Sequence, residues 1–220
     1  MAENANKILV ALDGTPKAFY TIDYLCSFKP FLKRQVVLHN VITRVPYCYY
    51  DFKKNPSSKV AESGVAAWTE EYTAHMTSFM AESKTRLVHA GFKPESIQTM
   101  ISERNRGIAR DILDEAQKGY YALMIRRRGG ADALLPIAMG SVSTKLMEKA
   151  RSFPVILAGT RKMMHSLFIA VDGSDGAKRA VEFVAQTAGY SNCRIVLCSV
   201  LRDFDRIGGV KDPDNSDRRS

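Results

Sequence analysis

No run of residues in this chain approaches the roughly 18 consecutive apolar positions that a membrane-spanning helix needs, so no such helix is expected. Cysteine is scarce: the four present, Cys26, Cys48, Cys193 and Cys198, form no Cys-x2-Cys pair and are too few for a disulfide scaffold. Reduced thiols in a cytosolic compartment are the simplest account, and metal binding has little support. Also missing are Gly-x4-Gly-Lys-Ser/Thr and, after the first apolar run, Gly-x-Gly-x2-Gly. Those absences argue against a P-loop nucleoside triphosphatase and a dinucleotide dehydrogenase. The four histidines, His39, His75, His89 and His165, stand singly, without nucleophile or metal-ligand spacing, and read as structural or surface residues. The first seven residues run straight into a short apolar segment unlike a signal peptide, so a cytoplasmic protein is expected.

The 220 residues exceed the roughly 100–150 of a common single domain, which predicts one full domain plus a further piece. A composition of 45% hydrophobic and 25% charged residues, with a formal charge of +9, is that of a globular chain. Such a charge attracts anionic partners without specifying them. Lys and Arg are spread along the sequence, with Arg126-Arg127-Arg128 the tightest cluster, and most read as solvated surface. A basic stripe interleaved with aromatics is missing, so a nucleic-acid partner is not expected.

Residues 8–12, Ile-Leu-Val-Ala-Leu, form a continuous apolar run that stops at Asp13-Gly14-Thr15-Pro16, which reads as a buried strand ending in a turn. Ala18, Ile22 and Leu25 follow at helical spacing, and residues 35–42 are again strand-like. This βαβ pattern predicts parallel pairing. Beyond an aromatic loop, Ser57 or Ser58 is placed to cap a long helix whose Val65, Trp68, Tyr72, Met76, Phe79 and Leu87 make an inward stripe, with Gly91 as its C-terminal cap. Residues 96–102 read as a strand. Residues 106–118 read as a helix with Ile108, Ile112 and Ala116 inward, and 120–125 as a further buried strand. A glycine-containing loop then leads to a helix over 141–151, and Pro154-Val155-Ile156-Leu157-Ala158 forms the fifth strand. The fold predicted is α/β, a five-stranded, doubly wound parallel sheet over residues 1–161.

Leu167-Phe168-Ile169-Ala170-Val171 followed by Asp172-Gly173-Ser174 restates residues 8–15 at an offset of 159 positions. Ala177, Val181 and Val184 answer Ala18, Ile22 and Leu25, and Ile195-Val196-Leu197 answers Val36-Val37-Leu38. Duplication of one unit is the reading, with residues 162–205 a partial second copy (β-α-β) and 206–220 a polar, flexible tail. A fragment of this kind carries apolar faces and strand edges, so it is expected to cover them on the first domain or on a partner subunit.

In an open parallel sheet, ligands bind outside the carboxyl strand ends where strand order reverses. Asp13 stands at the end of the first strand, and Gly130, nine residues, then Gly140-Ser141 follow the fourth. Glycines permit close backbone approach, and a helix starting near Ser141 offers unpaired N–H groups and a positive dipole end to a phosphate. Ser141 and Ser143 add hydroxyls, Asp13 accepts from sugar hydroxyls, and the backbone at Val41 is placed to read a base edge.

These segments resemble the universal stress protein family over residues 7–159 and again over 166–201. The residues that carry the resemblance are the strand-Asp13-Gly14-Thr15, the Val41 strand end, Gly130-x9-Gly140-Ser141-Val142-Ser143, and Pro154-Val155-Ile156-Leu157. The resemblance implies ATP, with Mg²⁺, held by Asp13, Val41, Gly130, Gly140, Ser141, Val142 and Ser143. Arg127 stands where the family's Gly-x2-Gly-x9-Gly pattern has its first glycine. Its side chain either blocks the ribose or phosphate approach or adds a charge-assisted phosphate contact.

The resemblance further implies a homodimer through the strand Val155–Ala158, and the 162–205 fragment is a second candidate interface. No general base or metal-held water stands out, so a nucleotide-binding regulatory protein of the stress response, without fast catalysis, is expected. The alternative is a dimeric protein-interaction module of the same family that binds no ATP. An adenylyl-transfer or ATP-pyrophosphatase enzyme on the same scaffold is disfavoured because its loop after the first strand is missing.

Overall fold

A computed structural model of the chain describes residues 5–43, 59–126, 141–159, 166–188 and 193–200. Five strands, β1 (Lys7–Ala11), β2 (Gln35–Ile42), β3 (Ile97–Glu103), β4 (Ala122–Arg126) and β5 (Val155–Ala158), form one sheet in the order β3-β2-β1-β4-β5. Every pairing in it is parallel. Helices α1 (Phe19–Ser27), α2 (Lys59–His89), α3 (Ile108–Ala116) and α4 (Ser141–Lys149) make the crossovers. With both faces of the sheet covered, its central strands are apolar throughout rather than alternating.

On one face, Ile8 and Val10 of β1 and Val36 and Leu38 of β2 pack against Ile22 and Leu25 of α1 and Met76, Phe79 and Leu87 of α2. On the other, Leu9, Val37, Leu123 and Ile125 meet Ile112, Leu113 and Ala116 of α3 and Leu146 of α4. Each such aliphatic side chain removed from water contributes about 1.5–3 kcal/mol, so the order of the central strands is fixed by burial on both sides. The stripe expected on α2 is core at Met76, Phe79 and Leu87. Further toward the helix start Tyr72 is half-buried against that core and Trp68 stacks on it at a centroid separation of 5.3 Å, while the side chain of Val65 lies outside the described residues.

Gly91 ends α2 with φ +105°, a left-handed conformation that glycine adopts without a Cβ clash. The amide of Phe92 donates to the Leu87 carbonyl at 3.1 Å and that of Gly91 to Val88 at 3.0 Å, the paired bonds of a Schellman cap. Ser57 and Ser58 lie outside the described residues.

After β5 come β6 (Ser166–Ala170), α5 (Asp175–Ala188) and β7 (Arg194–Cys198). β6 and β7 pair in parallel as a separate two-stranded sheet. α5 lies against the five-stranded unit, where the Phe183 ring sits 5.2 Å from that of Tyr121. Val184 packs on the core cluster, and the Tyr121 hydroxyl is 2.5 Å from Thr187 Oγ1. Tyr121 immediately precedes β4, so this contact is at the amino-terminal end of the sheet. Among the described residues, no helix is long and apolar enough to cross a membrane.

Candidate functional site

β1 leads to β2 and β3 on one side of the sheet, and β4 returns on the other side of β1. Strand order therefore reverses between β1 and β4, and a crevice opens beyond their carboxyl ends. A cavity of ≈ 230 Å³ occupies that place. Asp13, Val41, Val142 and Ser143, four of the residues singled out in the sequence, line it together with Asn40, Tyr72, Ile108 and Arg126. Ser141 opens α4 at the same end and is exposed. Arg127, Gly130 and Gly140 lie outside the described residues.

The turn carrying Asp13 is held from several directions. Thr15 donates to Asp13 Oδ1 through its amide at 3.1 Å and its hydroxyl at 2.7 Å. His75 Nε2 of α2 donates to the Gly14 carbonyl at 2.9 Å. Gly14 has φ +70°, and a Cβ there would stand 2.2 Å from the Sδ of buried Met76, so only glycine fits the turn against α2. His75 thus positions the turn without touching the cavity, a role its solitary place in the sequence gives no hint of.

Arg126, not singled out in the sequence from the run of three arginines, is mostly buried. Its Nη2 donates to Asp13 Oδ2 at 3.1 Å, and its Nε is buried with no hydrogen-bond partner among the described residues. The reason is register: Arg126 is the last residue of β4, paired with Ala158, and its side chain reaches across the strand order reversal to β1. Burial pushes the Asp13 carboxyl up, but the hydrogen bonds from Thr15 and Arg126 together outweigh it and hold the group below the ordinary carboxylate value.

Asn40, unremarked in the sequence, also reaches this cavity from β2. Its Nδ2 donates to the Leu12 carbonyl at 2.7 Å, while its Oδ1 is buried without a partner among the described residues. A further difference concerns Ile108, expected inward with Ile112 and Ala116. The Asp111 carboxylate accepts from the amides of Asn105, Arg106 and Gly107, so α3 begins only at Ile108 and sets that residue, 36% exposed, at the cavity rim.

His39 is buried and hydrogen-bonded to Ser102 Oγ at 2.8 Å, and burial lowers its pKa; it belongs to the sheet rather than to the cavity. No cluster of His, Cys, Asp or Glu suited to a metal ion occurs among the described residues. The cavity is thus an apolar slot lined by one carboxylate, one guanidinium, an amide and two hydroxyl-bearing side chains, Ser143 and Tyr72, a set that hydrogen-bonds and orients a small polar molecule.

No protein-family model matches the sequence, and no curated protein matches it. Among solved structures, the chain is similar to a universal stress protein from Archaeoglobus fulgidus at 19% identity and a TM-score of 0.65, over 92% of this chain and 70% of that one. It is also similar to the universal stress protein UspA from Lactobacillus plantarum at 16% identity and a TM-score of 0.51, over 70% of this chain and 98% of that one. The parallel order β3-β2-β1-β4-β5 and these likenesses agree: the chain has the fold of the universal stress proteins.

Proposed function

We propose that this chain binds an adenine nucleotide, ATP with Mg²⁺, in the crevice between β1 and β4, and acts as a cytoplasmic regulatory protein of the stress response. The observation that carries this reading is the convergence of Asp13, Val41, Val142 and Ser143 on one cavity at the reversal of strand order. The apolar walls suit a base, Asp13 suits ribose hydroxyls, and the start of α4 suits phosphates. Arg127, Gly130 and Gly140 complete the phosphate side in this reading.

Fast hydrolysis is not part of the proposal. Both oxygens of Asp13 accept hydrogen bonds, so its carboxylate is engaged in structure rather than poised as a general base. Binding would act through conformation or assembly.

Calorimetric titration of ATP and Mg²⁺ into nucleotide-free protein tests the reading. Saturable binding is expected, weakened about tenfold or more when Ile108→Glu sets a like charge at the rim against the phosphates. Absence of saturable binding by the unmodified chain contradicts it.

A second reading is favoured by the exposed apolar residues Phe168, Ile195 and Leu197: a ligand-free interaction module. Its homodimer would form through the outer edge of β5 (Val155–Ala158), through the 162–205 fragment, or through both. A monomer in sedimentation at high concentration, with ATP bound, excludes it.

A further inference from the structure

Four residues of β4, Ala122, Leu123, Met124 and Ile125, are buried and apolar, and the fifth is Arg126. Nothing in the packing of the sheet requires an arginine there. Asp13 and Arg126 are the two charged side chains among the described residues that line the cavity, and they neutralise one another. Thr15 keeps Asp13 Oδ1, so Oδ2, the oxygen held by Arg126, is the one a ligand can take.

This arrangement constrains what can enter. A ligand offering only hydroxyl donors shares Oδ2 with the guanidinium, since that oxygen accepts a single bond from Arg126, and leaves the buried Nε donor unanswered. A ligand offering only an anion meets the guanidinium but gains nothing from Asp13, whose carboxylate repels it. Arg126 is the shielded partner, its side chain 16% exposed against 43% for Asp13, so the cost of parting the two falls on the guanidinium, and a ligand that brings it a new anion removes that cost. A molecule with hydroxyls and an anionic group a few bonds apart engages both. The unpartnered Nε beside Nη2 then supplies the two-pronged donor that fits a phosphate.

Resting on the nucleotide reading above, we propose that Arg126 is a specificity residue: the Asp13–Arg126 pair selects phosphorylated nucleosides over free nucleosides and over phosphate alone. The ion pair lies in the wall of the crevice, and a ligand of both chemistries engages its two members together.

The test titrates adenosine, AMP and inorganic phosphate into the full chain, its Arg126→Met variant and its Arg126→Lys variant, with thermal melts of each. AMP is expected to bind the unmodified chain about tenfold or more tighter than adenosine, with phosphate alone weaker still. In Arg126→Met that preference falls to about unity because adenosine gains and AMP loses. Arg126→Lys, which keeps charge but not the fork, falls between them. Should Arg126→Met be unfolded at the assay temperature, the ratio in Arg126→Lys decides. An AMP-to-adenosine ratio unchanged by the substitution overturns the role of Arg126 and leaves the nucleotide reading standing. Failure of every adenine ligand to bind the unmodified chain and the variants overturns both.

Discussion

The strand-helix-strand unit that begins the chain and the one that follows β5 share their backbone geometry and differ in what covers them. Lys7 pairs with Gln35, and Ser166 with Arg194. Leu12 donates to the His39 carbonyl at 2.9 Å, and Val171 to that of Cys198 at 2.8 Å. Gly14 and Gly173 both take positive φ, +70° and +78°. Asp13 accepts from the Thr15 amide, and Asp172 from that of Ser174. Every residue of the later set stands 159 positions after its counterpart.

Burial separates the two. Leu9 and Leu38 are fully buried, whereas Phe168 and Leu197, at the corresponding positions, are 68% and 62% exposed. The earlier strands lie between α1 and α2 on one face and α3 and α4 on the other. On β6, Ile169 is buried, but on β7 Ile195 and Leu197 are exposed, at positions that α2 covers in the earlier unit. Local sequence thus specifies the register of a βαβ unit, while the rest of the domain supplies its stability. The same holds for the site: the Asp-Gly turn occurs twice, but only Asp13 faces an arginine from β4 and the start of α4.

The largest expected divergence is in the core. Leu38→Ala should cost about 3–4 kcal/mol in denaturant unfolding, and Leu197→Ala less than about 0.5 kcal/mol. Equal costs would break the comparison. Next come the glycines. Gly14→Ala meets Met76 as well as an unfavourable φ and should cost about 2–3 kcal/mol, whereas Gly173→Ala, with open space around it, pays only the backbone term of about 1 kcal/mol.

A smaller effect sharpens the join between the units. Thr187 donates its hydroxyl to the Phe183 carbonyl, so the Tyr121 hydroxyl is the donor to Thr187. Tyr121→Phe removes that bond, worth about 1 kcal/mol, and should speed amide exchange in α5 about fivefold while leaving α1 unchanged.

The smallest effect is in the two aspartates, both held below the ordinary carboxylate value: Asp13 against its burial by Thr15 and Arg126, and Asp172 by Ser174. A carboxyl held low contributes stability that is complete above its unfolded value and is lost as pH falls through its folded value. Both contributions should therefore disappear below about pH 4. In an NMR titration, Arg126→Met should raise the pKa of Asp13 and leave Asp172 where it was.

Much of the sheet was legible because both its faces are covered: runs such as Val36-Val37-Leu38 have no polar side to hide. The inward face of α2 at Met76, Phe79 and Leu87 followed from spacing, and its cap from the glycine at position 91. Residues at element ends were less legible. Arg126 reads as one of three consecutive arginines until the register of β4 makes it the last paired residue beside the crevice. Ile108 fits the helical stripe of Ile112, yet the Asp111 cap makes it a first-turn residue at the rim. His75 and Asn40 act through turns contributed by distant segments, which no local pattern encodes.

The central claim, that the crevice at β1 and β4 holds a nucleotide, is tested most directly by following backbone amide shifts as ATP and Mg²⁺ are added. The account predicts saturable shifts at Asp13, Asn40, Val41, Val142 and Ser143, with residues 166–200 unmoved. Shifts that fail to appear, or that gather instead around Asp172 and Cys198, would contradict it.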